Sequence, residues 1–217
     1  GSRGIGAAIA QRLARDGAAV ALTYANSEKL ALQVVNAIET EGGRALALRA
    51  DSADATALCQ AIDTAATAFG GLDILVNNAG VATMAPLEEF KLEDFDRIVA
   101  VNVRGVFVAT QAAVRYMKEG GRVITIGSTN AERVPFIGAA AYAMSKAALV
   151  GLTKGLARDL GPRGITVNNV QPGPVDTDMN PDEGEFAASL KNLMAIKRYG
   201  SAEEIAGFVA YLEGPES

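Results

Sequence analysis

Tyr142 and Lys146 stand four residues apart in Tyr142-Ala143-Met144-Ser145-Lys146, inside a stretch of helical pattern, so they share a helix face. A tyrosine hydroxyl, with a pKa of about 10, is a poor proton carrier at neutral pH. An ammonium beside it stabilises the phenolate and brings that pKa down. Ser128 follows a short β-branched run and could hold a carbonyl oxygen against the hydroxyl. Together the three could protonate a carbonyl oxygen whose carbon accepts a hydride. Alone, a Tyr and a Lys at this spacing also describe a solvated helix face. The sequence contains no histidine and one cysteine, Cys59. A Ser-His-Asp triad, a histidine base and a histidine-ligated metal are therefore ruled out, and no metal site is expected. Acid–base chemistry must use Tyr, Lys, Asp or Glu.

Four further polar clusters fall beside apolar runs. Gly1-Ser2-Arg3-Gly4-Ile5-Gly6 leads straight into an amphipathic helical stretch. A pyrophosphate needs backbone N–H groups with a helix start behind them and no side chains in the way. Gly4 and Gly6 would allow that approach, although glycines also simply end strands. Asn77-Asn78-Ala79-Gly80 closes an apolar run, where open α/β folds bind ligands at the carboxyl edge of the sheet, and it reads equally as a polar turn. Asn102, between Val101 and Val103, is an unusual amide for a helix interior and needs partners. Gln171-Pro172-Gly173-Pro174-Val175-Asp176-Thr177 stops another strand and exposes backbone at the same edge. Residues 174–199, acidic and then amphipathic, could form a lid or a plain surface loop.

The strand predicted at 18–23 ends in Thr23-Tyr24-Ala25-Asn26-Ser27, with no acid from there to Glu28. Sites selective for NAD place a carboxylate there to accept the ribose hydroxyls. Here Arg3 could reach a 2′-phosphate and Asn26 and Ser27 could supply neutral donors, which points to NADP(H) over NAD(H). In the blander reading Arg3 is solvated and Asn26-Ser27 cap the next helix.

The elements that must position these groups alternate. Strands are predicted at 18–23, 45–48, 74–76, 122–126 and 165–170, nearly free of charge as strands buried on both faces are. Helices are predicted at 5–15, 28–40, 55–69, 92–117, 140–160 and 202–211, the last behind a Ser201/Glu204 capping box. Glycines at 17, 42–43, 70–71 and 120–121 mark helix ends. The pattern is that of βαβ units, an α/β Rossmann-type doubly wound parallel sheet forming one domain over residues 1–217. The chain opens inside a glycine turn that a strand should precede and stops where another is due, so a first and a last strand are expected to be missing. The polar clusters converge on one sheet edge, and their agreement is what makes the separate bland readings fail together. With 217 residues, 49% hydrophobic, 21% charged and net charge −5, the chain fits a globular protein with no nucleic-acid polymer or membrane as partner. The lone cysteine fits the cytoplasm.

On these motifs the chain resembles the classical short-chain dehydrogenase/reductase family over essentially its whole length. Gly1–Gly6 is similar to the back end of that family's glycine turn, Asn77–Gly80 to its Asn-Asn-Ala-Gly motif, and Asn102, Ser128, Tyr142 and Lys146 to its catalytic tetrad. The resemblance implies that Tyr142 is the general acid in reduction and that Ser128 orients the carbonyl. It implies that Lys146 lowers the Tyr142 pKa and bonds the nicotinamide ribose, and that the backbone carbonyl of Asn102 holds a water that passes protons to Lys146. It gives Asp51, with Ser52 beside it, to the adenine and places Pro172, Gly173, Val175 and Thr177 against the nicotinamide. Ser2, Arg3, Gly4, Ile5, Gly6, Asn78, Ala79 and Gly80 complete the implied cofactor contacts. The chain looks most like the 3-oxoacyl-(acyl-carrier-protein) reductases, with Arg122 and Arg163 where those carry carrier-docking arginines. It is also similar to a bacterial branch of biofilm-dispersal mediators, which implies an alternative: a regulatory protein that binds a cyclic dinucleotide. A homotetramer acting on a small carbonyl or alcohol is the implied assembly.

Overall fold

Helix starts and stops written in the sequence organise the chain in a computed structural model that describes residues 1–214 and 216–217. The chain divides into two compact units, Gly1–Ala47 with Pro172–Ser217, and Leu48–Gln171.

In the first unit helix α1 (Gly4–Arg15) is followed by strand β1 (Ala19–Tyr24), helix α2 (Glu28–Thr40) and strand β2 (Arg44–Arg49), and β1 pairs with β2. Helix α1 buries Gly6, Ile9, Ala10 and Leu13, the stripe its apolar spacing predicts. Ala10 packs with Leu22 of β1 and with Ala31, Val34, Val35 and Ile38 of α2. Gly17 and Gly42 take positive φ where α1 and α2 end, as chain reversals there require.

The second unit carries α3 (Ala55–Phe69), β3 (Ile74–Asn77), α4 (Leu92–Val99), α5 (Gly105–Ala113), β4 (Arg122–Ile126), α6 (Ala140–Leu160) and β5 (Thr166–Val170). Strands β3, β4 and β5 form a parallel sheet with β4 central. Asp54 caps α3 by accepting the Thr56 and Ala57 N–H groups at 2.9 and 3.1 Å. Ile62, Ala109, Ala113, Val123 and Val167 meet in its core, and Cys59 packs half-buried against the same cluster. The stretch predicted as one helix over 92–117 is helical only to Ala113 and is interrupted by a π-helical turn at Ala100–Arg104. At Gly105 the backbone passes so close to the Ser52 carbonyl that a Cβ would lie 2.5 Å from its oxygen.

In the rest of the first unit, residues 172–217 hold α7 (Gly184–Leu193), which lies inside the predicted lid segment, and α8 (Ala202–Glu213). The capping box at Ser201 and Glu204 forms as read, and α8 packs on α1. Among the described residues no helix is long and apolar enough to cross a membrane.

Candidate functional site

Tyr142, Ser145 and Lys146 occupy one face of α6, and the strand ends of the second unit meet them there. Ser128 follows Gly127 at the end of β4, and its hydroxyl bonds that of Tyr142. The Lys146 ammonium donates to the Ile126 carbonyl at 2.9 Å and lies 5.7 Å from the Tyr142 ring centroid. Burial alone brings the Lys146 pKa down to about 8. Burial also raises the Tyr142 pKa above its ordinary value, while the Ser128 bond pulls it the other way. The lowering of Tyr142 by Lys146 is therefore not what this geometry gives. Desolvation of the hydroxyl outweighs the Ser128 bond, and the ammonium is directed at a backbone carbonyl.

Asn102 sits in the π-helical turn and is 1% exposed. Its Oδ1 accepts the Val81 N–H at 2.9 Å, and its Nδ2 donates to the Val81 carbonyl at 2.9 Å and to Ser145 Oγ at 3.0 Å. The Ser145 hydroxyl in turn donates to the Tyr142 carbonyl at 2.7 Å. A buried amide is thus satisfied in full, and it fastens the loop after Gly80 to the Tyr142 helix. A Cβ at Gly80 would lie 3.5 Å from Lys146 Nζ and 3.7 Å from Asn102 Oδ1, so the Asn-Asn-Ala-Gly turn borders the same cluster. Asn78 is half-buried there and Ala79 exposed.

Sequence reasoning passed over two parts of this arrangement. Ser145 is wholly buried and joins Asn102 to the Tyr142 backbone; its spacing, three residues after Tyr142 and one before Lys146, was the available signal. The second is a polar row across the sheet, Asn77 opposite Thr125 and Thr125 opposite Asn169. Asn77 Nδ2 donates to Thr110 Oγ1 of α5 at 3.2 Å and to Thr125 Oγ1 at 3.5 Å. Asn169 fills the space that a side chain on Gly127 would need.

Asp51 and Ser52 are half-buried in this unit. Asp51, expected at the adenine, has both carboxylate oxygens engaged, with Arg97 at 3.0 Å and the Ala53 N–H at 2.9 Å, and the Arg97 bond leads in holding its pKa below the usual range. Arg122 and Arg163 also spend donors at home. Arg122 bonds the Gly120 carbonyl at 2.8 Å, and Arg163 those of Val114 and Met117 at 2.7 and 2.9 Å.

In the first unit, α1 begins at Gly4 with no side chain capping its first N–H groups and no acid in its first turn. Gly4 has φ +51, and a Cβ there would lie 3.1 Å from Thr177 Cγ2. Ser2, Ile5 and Thr177 are half-buried and Gly6 is buried. A glycine-lined turn with uncapped donors fits a pyrophosphate and would not accept a side chain at Gly4. Arg3 is exposed and ion-paired at 3.5 Å with Asp178. Asn26 is exposed, and Ser27 stands at the N-cap of α2 without a side-chain cap bond. Pro172 is half-buried and Gly173 exposed, while Val175 is buried and bridges Gly200. The Gly200 N–H donates to the Pro174 carbonyl at 2.9 Å and the Asp176 N–H to the Gly200 carbonyl at 3.0 Å, so segment 174–199 is pinned at both ends. Among the described residues no group of three or more His, Cys, Asp or Glu side chains could hold a metal ion.

Comparison with known proteins places this geometry. A family model described as enoyl-(acyl carrier protein) reductase matches residues 1–217. The cyclic-di-GMP-binding biofilm dispersal mediator protein of Escherichia coli K12 is 49% identical over 217 residues, covering 100% of this chain and 88% of that protein. A 3-oxoacyl-[acyl-carrier-protein] reductase of Synechocystis is 40% identical over 213 residues, covering 97% and 85%. Among solved structures, a short-chain dehydrogenase/reductase from Serratia marcescens superposes with a TM-score of 0.98 at 70% identity, covering 100% of this chain and 88% of that one. A short-chain dehydrogenase from Burkholderia cenocepacia in complex with NADP gives a TM-score of 0.98 at 57% identity with the same coverage.

Proposed function

The chain belongs to the short-chain dehydrogenase/reductase family, Rossmann-type α/β oxidoreductases that act on CH–OH and C=O groups with NAD(P), and on that premise we propose that it reduces a ketone to a secondary alcohol with NADPH. The observation that carries this reading is the Ser128–Tyr142 hydroxyl pair with the buried Lys146 on the same helix face. NADPH supplies the hydride when bound. Tyr142 would give its proton to the carbonyl oxygen; burial holds that proton more tightly, and the Ser128 bond, which lowers the Tyr142 pKa, favours its release. Ser128 aligns the oxygen. Lys146 holds the nicotinamide ribose, and Asn102 and Ser145 position the Tyr142 helix and the Gly80 turn.

Gly1–Gly6 and Thr177 fit the pyrophosphate. Arg3, now paired with Asp178, would turn with Asn26 and Ser27 to the 2′-phosphate, and Asp51, held by Arg97 and the Ala53 N–H, would stand with Ser52 at the adenine; Asn78 to Gly80 and Pro172 to Val175 would complete the cofactor contacts. The absence of an acid between Thr23 and Glu28 and the NADP-bound Burkholderia relative support NADP(H). Arg3→Ala should weaken NADPH binding by about 1.5–3 kcal/mol, as for a bond to a charged group, and leave NADH binding nearly unchanged. Higher kcat/KM with NADH than with NADPH in the wild type would overturn the cofactor assignment.

The whole chain then works as one dinucleotide-binding oxidoreductase domain, with 174–199 as the lid over the substrate. We read it as a cytoplasmic homotetramer acting on a small carbonyl or a 3-oxoacyl thioester. The carrier-protein part rests on the Synechocystis relative and not on Arg122 and Arg163, whose donors serve backbone carbonyls. The test is a screen of carbonyl substrates with NADPH; no turnover across the panel sinks the reading. A second reading, a regulatory protein binding a cyclic dinucleotide, is favoured by the name of the Escherichia coli relative. Calorimetric titration with cyclic dinucleotides beside the screen separates the two, since a pure binding protein needs no Ser–Tyr–Lys set.

A further inference from the structure

We infer that the reacting ketone sits on an uncharged, apolar body, with no carboxylate, phosphate or polyol next to the carbonyl; this rests on the reductase reading above. Two loops border the reacting groups within the second unit. One, Val81–Leu87, leaves Gly80 and is tied to Asn102 through both backbone groups of Val81. The other runs from Ser128 to Tyr142. They are fastened to each other, because the Ala85 N–H donates to the Gly138 carbonyl at 3.3 Å. Gly138 also sits, at φ +85, where a Cβ would come within 3.2 Å of the Ala85 backbone.

These joined loops present Met84, Leu87, Val134 and Ile137 outward, with Leu87 83% and Ile137 92% exposed. Apolar side chains concentrated in water on loops that lead to the reacting groups mark a surface that gains by being covered. Their polar content is equally informative. No charged residue occurs in 81–87 or in 134–142, the part of the second loop that carries Val134 and Ile137, and Thr83 and Tyr142 are the only side chains there with a hydroxyl or amide; the other polar residues of that loop, Ser128, Thr129, Asn130, Glu132 and Arg133, all precede this part. The residues that follow Leu87 are Glu88 and Glu89, which repel anions. A carboxylate or phosphate brought against this rim would lose water without a charge-assisted partner, and a polyol would leave its hydroxyls unpaired. An alkyl or aryl group would lose nothing. Arg133, next to Glu132, is the single cation between Ser128 and Tyr142.

The experiment compares kcat/KM with saturating NADPH for size-matched sets: aryl and long-chain methyl ketones, short methyl ketones, keto acids, and keto sugars with and without phosphate. The uncharged apolar ketones should exceed the matched anions by about 100-fold or more, and long ketones should exceed short ones by about ten-fold, the range for a few methylene contacts in a pocket. In Ile137→Ser and Leu87→Ser, both at exposed positions, the preference for long over short ketones should shrink several-fold. A preference that survives both substitutions, or a panel led by anions or polyols, would overturn this inference and leave the reductase reading standing. No turnover of any carbonyl would overturn the reductase reading and this one with it.

Discussion

Burial of the Lys146 ammonium costs free energy in the ordinary pH range. Its pKa falls from 10.5 to about 8, so between those values the unfolded chain holds a proton that the folded chain does not. Stability should therefore rise with pH through that window. Below it the penalty is of the order of 3 kcal/mol, offset by about 1 kcal/mol from the bond to the Ile126 carbonyl. Lys146→Met should accordingly stabilise the cofactor-free protein by about 1–2 kcal/mol at pH 7, with the gain fading above pH 8. Denaturant melts at pH 6, 7, 9 and 10 read this directly, and a gain that grows with pH would refute the account. The neighbouring hydroxyls set a second expectation. Tyr142→Phe should fold and bind cofactor but lose about 100-fold or more in kcat. Ser128→Ala removes the one contact that lowers the Tyr142 pKa, so the pH at which alcohol oxidation is half-maximal should move upward. A downward or absent shift would mean that Ser128 does not touch the ionising group. The Tyr–Lys pairing was legible in the sequence because a four-residue spacing fixes a shared helix face. The direction of the Tyr142 shift was not, because desolvation depends on what packs around the ring, and spacing says nothing of that.

One scale up, the helix that carries Asn102 shows what a one-dimensional reading loses. Residues 92–117 keep an apolar period and contain no proline, so nothing in the pattern announces the π-helical turn at Ala100–Arg104. The signal present was Asn102 itself, an amide among valines; its partners, the Val81 backbone and Ser145, are far off in the chain. Gly105, at the end of that turn, has ordinary helical φ and would gain about 1 kcal/mol of helix propensity on mutation to alanine in isolation. Here the added methyl would meet the Ser52 carbonyl. Gly105→Ala should thus lower stability by about 1–3 kcal/mol, as overpacking does, and urea melts showing a gain would discard the close-approach argument. Elements with strong local signals were read correctly: the glycine stops after α1, α2 and α3, the capping box of α8, and the strands of the second sheet to within a residue at either end. The arginines were harder. Arg122 and Arg163 offer the same letters whether they face a partner or, as found, bond carbonyls of their own chain.

For the whole molecule, the apolar exposure on α5 and α6, with Phe107 and Met144 open to solvent, agrees with assembly through these helices. Light scattering of the protein at micromolar concentration should give a tetramer, and a clean monomer would count against it. The second unit carries a further consequence for how the chain reaches its native state. Strand β4 is paired on both sides, with Val123 and Ile124 fully buried, and each of its neighbours is parallel, brought in by a crossover through helices. Its backbone can be shielded only after segments distant in the chain have closed upon it, so this sheet belongs to the slow-folding topologies. Once closed, opening β4 requires dismantling both pairings and the helices that cover them. In deuterated buffer its amides should exchange last and report global unfolding, while those of the loops around Ile137 exchange through small local fluctuations. The reactive hydroxyls would then sit at the seam between the most persistent part of the molecule and one of its most labile.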